Sequence, residues 1–562
     1  MSDASSRLPL LVRLLGVLLR PWLERIPVPT DVVERIRDLS EQARVIFVMR
    51  KANWVDVLVW RSFCRRARIS EPPVIAGLMP VGPDTLPARA LLFLDGPQAQ
   101  QAATLIEESV GASRGGERIL LLPITILWDL SPRRVERSLL EILFRPRERA
   151  GLLRRIMWVV LGARGSRIVA ADPVDLAQLV QEDPDDDARL ARKVRLTIRY
   201  HLAQTERAYL GPRLIPRQRL IQRALHDPSV QKVVDEVARE RGVSRDLVLA
   251  EVEENLDEIA ADFRWSAIRF LAFVLSRVWK RIYEGFNVDM EGLERIRDAA
   301  RRGPVILVPC HKSHMDYLII SYLFKQHELI PPHIAAGDNL SFFPLGPLFR
   351  RSGAFFIRRS FLGDQTYEAA LRSYIRALLR ANYSIEFFIE GTRSRSGKIM
   401  PPKFGLLTML LDAQASLQHT ECQVVPIAID YESVLEESSM VREAQGGEKQ
   451  KESVGALLAA RRKLRRKYGR VYVRFGEPQS LRALQADAPG VTTLEQARKV
   501  GYDILWGIQR LITVTPTALV ATSLCVHHKR GIRRETLLRR IHLFQSAVER
   551  SGAHLATDVD AG

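Results

Sequence analysis

The sequence predicts an α/β protein in which a mixed sheet is flanked by helices and is preceded by a degenerate copy of the same fold. Residues 305–308 form a short, β-branched apolar run between Pro304 and Pro309, which is typical of a buried strand. Residues 313–323 follow with a helical pattern, and Ser313 is a candidate N-cap. Apolar runs in the same order occur earlier in the chain, and helical linkers separate the two sets.

A histidine and an aspartate directly follow this strand. His311 lies on the turn that leaves the strand, and Asp316 falls in the first turn of the helix. A carboxylate in that position can hold one imidazole nitrogen and leave the other as a base of fixed tautomer. The pair is therefore a candidate general base, although an HxxxxD spacing alone is more often an incidental polar couple.

Three further blocks follow in a fixed order, and the first two carry arginines at the ends of apolar segments. They are GAFFIRR at residues 353–359, FIEGTRSRSGK at 388–398 and VVPIAI at 424–429. Arginine binds phosphate through a planar fork of donors, so strands that deliver guanidinium groups predict an anion-binding site. The alternative is that these arginines are solvated surface charge.

The first part of the chain repeats the pattern of the second. The matched pairs, in chain order, are 45–48 with 305–308, 56–58 with 316–318, 76–77 with 336–337, 92–96 with 387–391, 122–126 with 425–429 and 172–173 with 477–478. In this alignment His311 corresponds to Lys51 and Arg393 to Gln98, so the first copy has lost its base and an anion-binding arginine. The alternative is chance similarity among apolar strands, which the collinear order of the matches disfavours.

Composition and pattern divide the chain into five segments. They are an N-terminal amphipathic segment (1–30), a degenerate copy of the fold (31–183), a helical linker with a membrane-surface helix (184–289), a catalytic domain (290–485) and a C-terminal helical region (486–562). We expect the polar tail to be disordered from about Ala553.

The formal charge of +19 over 562 residues favours anionic partners. Partners of this kind are nucleic acid, anionic lipid, phosphorylated substrates and an acidic carrier protein. The four cysteines have no CxxC spacing, which argues for a reducing compartment and against a zinc site or a disulfide framework. Cys310 is a conceivable thiol nucleophile, but adjacent residues that leave a strand point to opposite sides, which disfavours it beside His311.

One amphipathic helix has two interpretations. No segment of the sequence reaches the roughly 18 apolar residues that a spanning helix needs. Residues 264–283 place Trp265, Ile268, Leu271, Ala272, Leu275, Val278, Trp279 and Ile282 on one face and Arg269, Arg277 and Lys280 on the opposite one. Such a helix can lie in an anionic bilayer surface or pack on its own domain, and the pattern does not decide between them.

The four blocks resemble the signatures of the glycerolipid acyltransferases. HKSHMDYL, GAFFIRR, FIEGTRSRSGK and VPIAI are most similar to those of the bacterial membrane-associated glycerol-3-phosphate 1-O-acyltransferases. The resemblance also covers the sequence between the blocks, the FGEP sequence at 475–478 and the helical stretch after it. It therefore extends from about residue 290 onward. A sister family that acts on dihydroxyacetone phosphate has nearly the same blocks. The resemblance implies the acyltransferase fold.

The resemblance also implies a role for each candidate site residue. His311 would deprotonate the substrate hydroxyl, Asp316 would orient it, and Glu390 and Gly391 match the catalytic part of the third block. The positions that match substrate and phosphate binding are Phe356, Arg358, Arg359, Arg393, Arg395 and Pro426. A thioester donor is already activated, so neither a covalent enzyme intermediate nor a metal or other cofactor is expected.

The implied reaction moves an acyl group from acyl-CoA or acyl-carrier protein to the sn-1 hydroxyl of glycerol 3-phosphate, the first step of phospholipid synthesis. The alternatives are acylation of dihydroxyacetone phosphate and a non-enzymatic protein that binds membranes or nucleic acid through its basic surface. The intact His311 and Asp316 disfavour the non-enzymatic alternative. We expect an enzyme without a nucleic-acid partner, held peripherally on the cytoplasmic face of the bacterial inner membrane.

Overall fold

The computed structural model describes residues 9–51, 53–72, 74–76, 90–95, 99–128, 156, 159–160, 166–182, 186–212, 214–361, 363–417, 420–437, 440–441, 466–487, 492–528 and 530–556. The chain forms two compact units. The first contains Met1–Ser131 and Arg137–Leu210, and the second contains Pro132–Glu136 and Gly211–Gly562. The division at Leu210 falls within residues 184–289, the span expected to be a helical linker.

The first unit is a helix-flanked sheet. Its helices are α1 (Leu10–Leu23), α2 (Thr30–Gln42), α3 (Trp54–Ala67), α4 (Ala99–Arg114), α5 (Leu176–Glu182) and α6 (Asp187–Leu210), and its strands are β1 (Arg44–Lys51), β2 (Val74–Ala76), β3 (Ala90–Asp95), β4 (Ile119–Leu127), β5 (Arg167–Ala170) and β6 (Val174–Asp175). The strand order is β2-β3-β1-β4-β5, and β6 also pairs with β4. Strands β1 to β4 are parallel, whereas β5 and β6 run antiparallel to β4. The central strand β1 is buried on both faces, which explains its continuous apolar run.

The second unit contains a larger mixed sheet. Its helices are α7 (Arg217–Leu225), α8 (Pro228–Arg241), α9 (Arg245–Ile259), α10 (Trp265–Ile282), α11 (Met290–Arg302), α12 (Asp316–Gln326), α13 (Leu345–Arg351), α14 (Gln365–Arg380), α15 (Gly405–Ala415), α16 (Leu481–Ala486), α17 (Thr493–Arg510), α18 (Pro516–Cys525) and α19 (Arg534–Arg550). Its strands are β7 (Gly285–Val288), β8 (Val305–Pro309), β9 (His333–Gly337), β10 (Ala354–Ile357), β11 (Ile385–Glu386), β12 (Gln423–Tyr431), β13 (Arg470–Phe475), β14 (Gln479–Ser480), β15 (Thr513–Val514) and β16 (His554–Leu555). The main sheet has the order β10-β9-β11-β8-β12-β13-β7, and β14 also pairs with β12. The predicted α/β class with a mixed sheet is therefore confirmed.

The two sheets have the same topology. The order β2-β3-β1-β4-β5 of the first corresponds to β9-β11-β8-β12-β13 of the second, and β6 and β14 occupy equivalent places. The strand directions also agree, since the first four strands of each set are parallel and the last is antiparallel. The degenerate copy of the fold that the sequence predicts is thus observed as a shared set of strands in the same order, which β10 and β7 extend in the second sheet.

The pairing register repeats as well. Val48 lies opposite Pro123 in the first sheet, and Val308 lies opposite Pro426 in the second. One detail of the alignment needs correction at β2 and β9, where Val74 pairs with Ala90 and His333 pairs with Ile385. That register gives an offset of 259 (333 minus 74), so Ala76 corresponds to Ala335 and not to Ala336. Gln98, the counterpart of Arg393, lies outside the described residues.

The amphipathic helix α10 packs on its own unit through its main apolar face. The side chains buried there are Trp265, Ile268, Leu275, Trp279 and Ile282, and Leu271 and Val278 pack against them. Of the two interpretations of this face, internal packing is correct and membrane contact is wrong. The opposite face nevertheless exposes Phe270, Phe273 and Val274. Among the described helices, none has the length and apolar character needed to cross a membrane.

The C-terminal region is helical and contains a short strand pair. A capping box, in which Thr492 and Glu495 satisfy each other's backbone N–H groups, starts α17. Strands β15 and β16 are parallel, with Thr513 opposite His554. The expectation of disorder from Ala553 is therefore wrong for residues 553–556, because backbone pairing to β15 orders them.

Candidate active site

The candidate residues gather at one edge of the second sheet. Strands β8 to β12 are all parallel, so their carboxyl ends lie at the same edge. His311 follows β8, the pair Arg358 and Arg359 follows β10, and Glu390 follows β11. The topology thus brings together blocks that are far apart in the sequence.

His311 and Asp316 form a hydrogen-bonded pair. The distance from His311 Nδ1 to Asp316 Oδ2 is 3.1 Å, and the Asp316 side chain is fully buried. The same oxygen accepts hydrogen bonds from the backbone N–H groups of Lys312 (2.7 Å) and Ser313 (2.9 Å). With Nδ1 held by the carboxylate, the Nε2 atom of His311 is the nitrogen left to accept a proton.

The turn between the two residues is fixed from outside by a glutamate that the sequence motifs did not indicate. Ser313 Oγ donates to Glu436, at 3.1 and 3.0 Å from its two carboxylate oxygens, and His314 N donates to the same side chain at 2.9 Å. Ser313 Oγ also accepts from Met315 N at 3.1 Å, so the predicted cap bonds the backbone although α12 itself begins at Asp316. Glu436 stands in a loop after β12, where no motif singles it out.

Glu390 holds the backbone of His311. Its buried carboxylate accepts from His311 N at 2.9 Å and from Met400 N at 2.9 Å. Burial raises the pKa of Glu390, and these two backbone hydrogen bonds act in the opposite direction. The next loop adds a second link, because Ser394 N donates to His311 O at 2.8 Å. The structure therefore gives Glu390 a positioning contact with the backbone of His311.

Two neighbours of Glu390 explain other parts of its block. Gly391 has a φ of 68°, and a Cβ atom there would lie 2.8 Å from Lys403 Cγ, so a left-handed glycine fits this position. The ring of Phe388 packs on the imidazole of His311 with 4.1 Å between ring centroids. Phe388 was not among the predicted site residues, although it opens the same block.

The four candidate arginines differ in their surroundings. Arg358 is engaged in packing, since it pairs with Glu258 at 2.5 Å and with Asp364 at 3.2 Å and covers the ring of Tyr367. Arg359 keeps 67% of its side chain exposed and lies 3.9 Å from Asp338. These contacts make Arg358 a structural cation and leave Arg359 accessible.

The second arginine block contributes a buried, unpaired donor. The Nη1 atom of Arg393 is buried and has no hydrogen-bond partner in the described part of the chain. A buried guanidinium nitrogen without an acceptor is costly, so its position favours an anionic ligand. Arg395, two residues further on, is exposed.

Phe356 and Pro426 take part in packing contacts next to the edge. The guanidinium carbon of Arg350 lies 4.8 Å from the ring centroid of buried Phe356. Pro426 is within β12 opposite Val308, and its carbonyl accepts from Gly476 N at 2.8 Å. Phe356 thus packs against Arg350, and the Pro426 backbone joins β12 to Gly476.

The cysteine beside His311 is unsuited to nucleophilic attack. Cys310 is buried, its sulfur accepts a hydrogen bond from Ile429 N at 3.3 Å, and burial raises its pKa to about 12. The thiol is therefore protonated at neutral pH. No three His, Cys, Asp or Glu side chains among the described residues are arranged to hold a metal ion.

Lys312, the residue after His311, is tied to β12. Its Nζ atom lies 2.5 Å from Asp430 Oδ1, and the other oxygen of Asp430 accepts from Thr513 N at 2.7 Å. Burial lowers the pKa of Lys312, but the adjacent Asp430 carboxylate acts in the opposite direction, and the pKa lies above its usual value. The lysine is therefore charged and paired with Asp430, and the backbone of β15 holds Asp430 in place through the Thr513 hydrogen bond.

Three family models match successive parts of the chain. The model described as Glycerol-3-phosphate acyltransferase PlsB N-terminal domain matches residues 11–211. The model described as Acyltransferase matches residues 287–430, and that described as Glycerol-3-phosphate acyltransferase C-terminal region matches residues 440–562. The Acyltransferase match spans the His311 turn and both arginine blocks, and it includes β12 as far as Asp430.

Curated relatives named glycerol-3-phosphate acyltransferase are similar along nearly the whole chain. The protein of Actinobacillus pleuropneumoniae serotype 3 (strain JL03) is 30% identical over 558 residues, which covers 96% of this chain and 66% of that protein. The protein of Haemophilus influenzae (strain PittEE) is 30% identical with 96% and 67% covered, and that of Glaesserella parasuis serovar 5 (strain SH0165) is 31% identical with 94% and 67% covered. The chain thus spans about two thirds of the length of these relatives.

We expect Glu390→Ala to lower the free energy of unfolding by about 2–3 kcal/mol, because two backbone N–H groups in a partly buried place lose their acceptor. Glu390→Gln keeps one amide oxygen as an acceptor and should cost about half as much. Thermal unfolding of the wild type and of both variants measures the difference. Equal unfolding temperatures for all three proteins would contradict the assigned contact.

Proposed function

Because the chain belongs to the glycerol-3-phosphate acyltransferase family, we propose that it transfers an acyl group from acyl-CoA or acyl-carrier protein to the sn-1 hydroxyl of glycerol 3-phosphate. The product would be 1-acyl-glycerol 3-phosphate (lysophosphatidic acid), and the reaction would be the first step of phospholipid synthesis. The observation that carries this proposal is the His311–Asp316 pair at 3.1 Å, at the same sheet edge as the arginine blocks.

The pair supports general-base chemistry on a hydroxyl. His311 Nε2 would take the hydroxyl proton as the oxygen bonds to the thioester carbonyl carbon, and the buried Asp316 would stabilise the imidazolium that forms. The tetrahedral intermediate then collapses, the carbon–sulfur bond breaks, and the imidazolium returns the proton to the thiolate. No group is needed beyond the two substrates and the side chains of this chain.

The arginines support an acceptor that carries a phosphate. Arg393 offers a buried guanidinium nitrogen without an acceptor among the described residues, and Arg359 is accessible. Strand β10, which leads to Arg359, is three positions from β8 in the sheet, or roughly 14 Å. Strand β11, which leads to Arg393, is adjacent to β8, so we assign the closer phosphate contact to Arg393.

A second candidate acceptor is dihydroxyacetone phosphate, which has a hydroxyl and a phosphate at similar positions. Purified protein should be assayed with labelled glycerol 3-phosphate or dihydroxyacetone phosphate, each crossed with acyl-CoA and acyl-carrier protein. Faster acylation of glycerol 3-phosphate supports the proposal. Product with the ketone acceptor alone would overturn it, and the two donor arms identify the thioester that is used.

The outer face of α10 supports peripheral attachment to the cytoplasmic face of the inner membrane. Phe270 and Phe273 have 58% and 56% of their surface exposed, and Val274 is also exposed. The basic residues around them are Arg269, Arg277, Lys280 and Arg281. An exposed aromatic patch with a basic border suits an anionic bilayer surface.

His311→Ala should lower turnover by at least about 10³-fold while the protein stays folded, because the reaction loses its base. Asp316→Asn should lower it by about 10²–10⁴-fold through loss of the correct tautomer and of the charge that stabilises the imidazolium. Initial rates and circular dichroism of each variant provide the measurement, with His327→Ala as a histidine control at the far end of α12. Near-normal turnover of folded His311→Ala would refute the mechanism.

Arg393→Ala should raise the KM for the phosphorylated acceptor by about 10–100-fold and change the donor KM little, since one charged, bidentate contact is lost. Arg393→Lys should rescue only part of the effect, because lysine keeps the charge without the planar fork. Arg358→Ala is the matched control and should reduce the unfolding temperature instead, since Arg358 is paired with Glu258 and Asp364. A change in the donor KM would mean that Arg393 lines the other pocket.

The double variant Phe270→Glu/Phe273→Glu should release the protein from vesicles that contain anionic phospholipid, because two exposed rings that would insert into the bilayer become two carboxylates that the lipid repels. Salt should weaken the binding of the wild type without fully reversing it, since apolar burial remains. Leu247→Glu/Leu494→Glu replaces two other exposed apolar residues and serves as the control. Equal co-sedimentation of the three proteins would assign membrane contact to another surface.

A further inference from the structure

We propose that Tyr431 is a positioning residue that fixes the Asp316 carboxylate for its contact with His311 and thereby sets how tightly the imidazole holds a proton. Tyr431 acts through Asp316 and is not assigned a contact with either substrate. The inference rests on the proposed function of His311 as the general base. It adds a residue that lies beyond the fourth sequence block, at the end of β12.

The hydrogen bonds of Asp316 divide between its two oxygens. Oδ2 accepts from His311 Nδ1 and from the backbone N–H groups of Lys312 and Ser313. Oδ1 accepts from the hydroxyl of Tyr431 at 2.5 Å. Within the described part of the chain, Tyr431 is the one donor to Oδ1 that the structure records. The phenol therefore determines where the second oxygen lies, and with it the plane of the carboxylate.

The orientation of the carboxylate matters because Asp316 is fully buried. Solvent does not reach this carboxylate to replace a lost donor. Without the Tyr431 hydroxyl, Oδ1 would therefore be a charged oxygen with no hydrogen bond. A more basic carboxylate attracts the proton of an adjacent imidazolium more strongly. Removal of the Tyr431 hydroxyl should therefore raise the pKa of His311 and loosen the geometry of the pair.

The first unit repeats this contact with different side chains. Trp128 Nε1 donates to Asp56 Oδ1 at 3.2 Å. By the strand register of β4 and β12, Trp128 occupies the place of Tyr431, and Asp56 occupies the place of Asp316. An aromatic donor at the end of this strand thus anchors the aspartate in both copies, one of which has no histidine at the position of the base.

The surroundings of the pair leave Tyr431 as a donor. The titratable and charged groups near Asp316 and Tyr431 are His311, Lys312, Cys310, Tyr283, Glu386, Glu436, Glu390 and Asp430. Burial raises the pKa of Tyr431 well above its usual range, so the phenol keeps its proton. Glu386 is fully buried, its oxygens have no hydrogen-bond partner in the described residues, and burial raises its pKa well above the usual range, which disfavours a second charged carboxylate beside the pair.

The test is Tyr431→Phe, which removes only the hydroxyl. Diethyl pyrocarbonate modifies the neutral imidazole, and the rate at the peptide that contains His311, followed by mass spectrometry against pH, reports its pKa without any acyl transfer. We expect that pKa to rise by about 0.5–1 unit. The acid limb of kcat/KM should move to higher pH by the same amount. At the optimum, kcat should fall about 10-fold, with the KM of both substrates changed by less than about twofold.

Two further variants keep the result interpretable. Tyr472 lies on the adjacent strand β13, and its hydroxyl donates to Glu432 at 3.1 Å. Tyr472→Phe removes that hydroxyl and should leave the His311 titration unchanged. Tyr431→Trp restores an aromatic donor of the kind seen at Trp128, and should bring the titration closer to wild type than Tyr431→Phe does. A wild-type His311 titration in both Tyr431 variants, or a loss of kcat that is uniform across pH, would overturn the inference. If the wild type transfers no acyl group, the proposed function fails, while the modification rates still test Tyr431.

Discussion

The buried carboxylate of Asp316 is the interaction on which the rest of the site depends. A buried charge is stable only where protein donors replace the water it has lost, and four donors surround Asp316. Two of them are backbone N–H groups of the turn that carries His311, so satisfying the carboxylate also folds that turn. The imidazole of His311 is therefore oriented by a requirement that the fold must meet whether or not a substrate is bound.

The parallel sheet supplies the remaining restraints on the same turn. Glu390 reaches it from the end of β11 and bonds the backbone of His311, while Asp430 reaches it from β12 and bonds Lys312. Glu436 provides a third restraint by accepting a hydrogen bond from the Ser313 hydroxyl. Each contact joins residues about 80 to 120 positions apart, and each depends on the carboxyl ends of parallel strands meeting at one edge. Preorganisation of the site is thus a property of the sheet topology.

Local patterns predicted the strand, the helix, the His311–Asp316 pair and the duplicated topology, because each is encoded within a short window or in the order of such windows. Contacts between distant positions were not accessible in this way. Arg358 resembles a phosphate ligand in its own block, yet its partner Glu258 stands a hundred residues upstream. The apolar stripe of α10 shows that one face of the helix is buried, but it does not show whether protein or lipid covers that face. Internal packing and membrane contact therefore produce the same sequence pattern. The correspondence between Trp128 and Tyr431 was not visible in the sequence repeat because the two residue types differ. What they have in common is an aromatic side chain with a hydrogen-bond donor.

The first unit separates what this fold needs from what the proposed chemistry needs. It keeps Asp56 with its aromatic donor, and the Asn53 side chain accepts from Val55 N at the place where Ser313 Oγ accepts from Met315 N. It carries Lys51 where the base would stand. The aspartate and its aromatic donor are therefore retained even where no histidine stands at the position of His311. The second unit adds one histidine beside that anchored carboxylate, which gives the proposed general base. It also adds arginines at the neighbouring strand ends, which belong to the proposed acyl-transfer site.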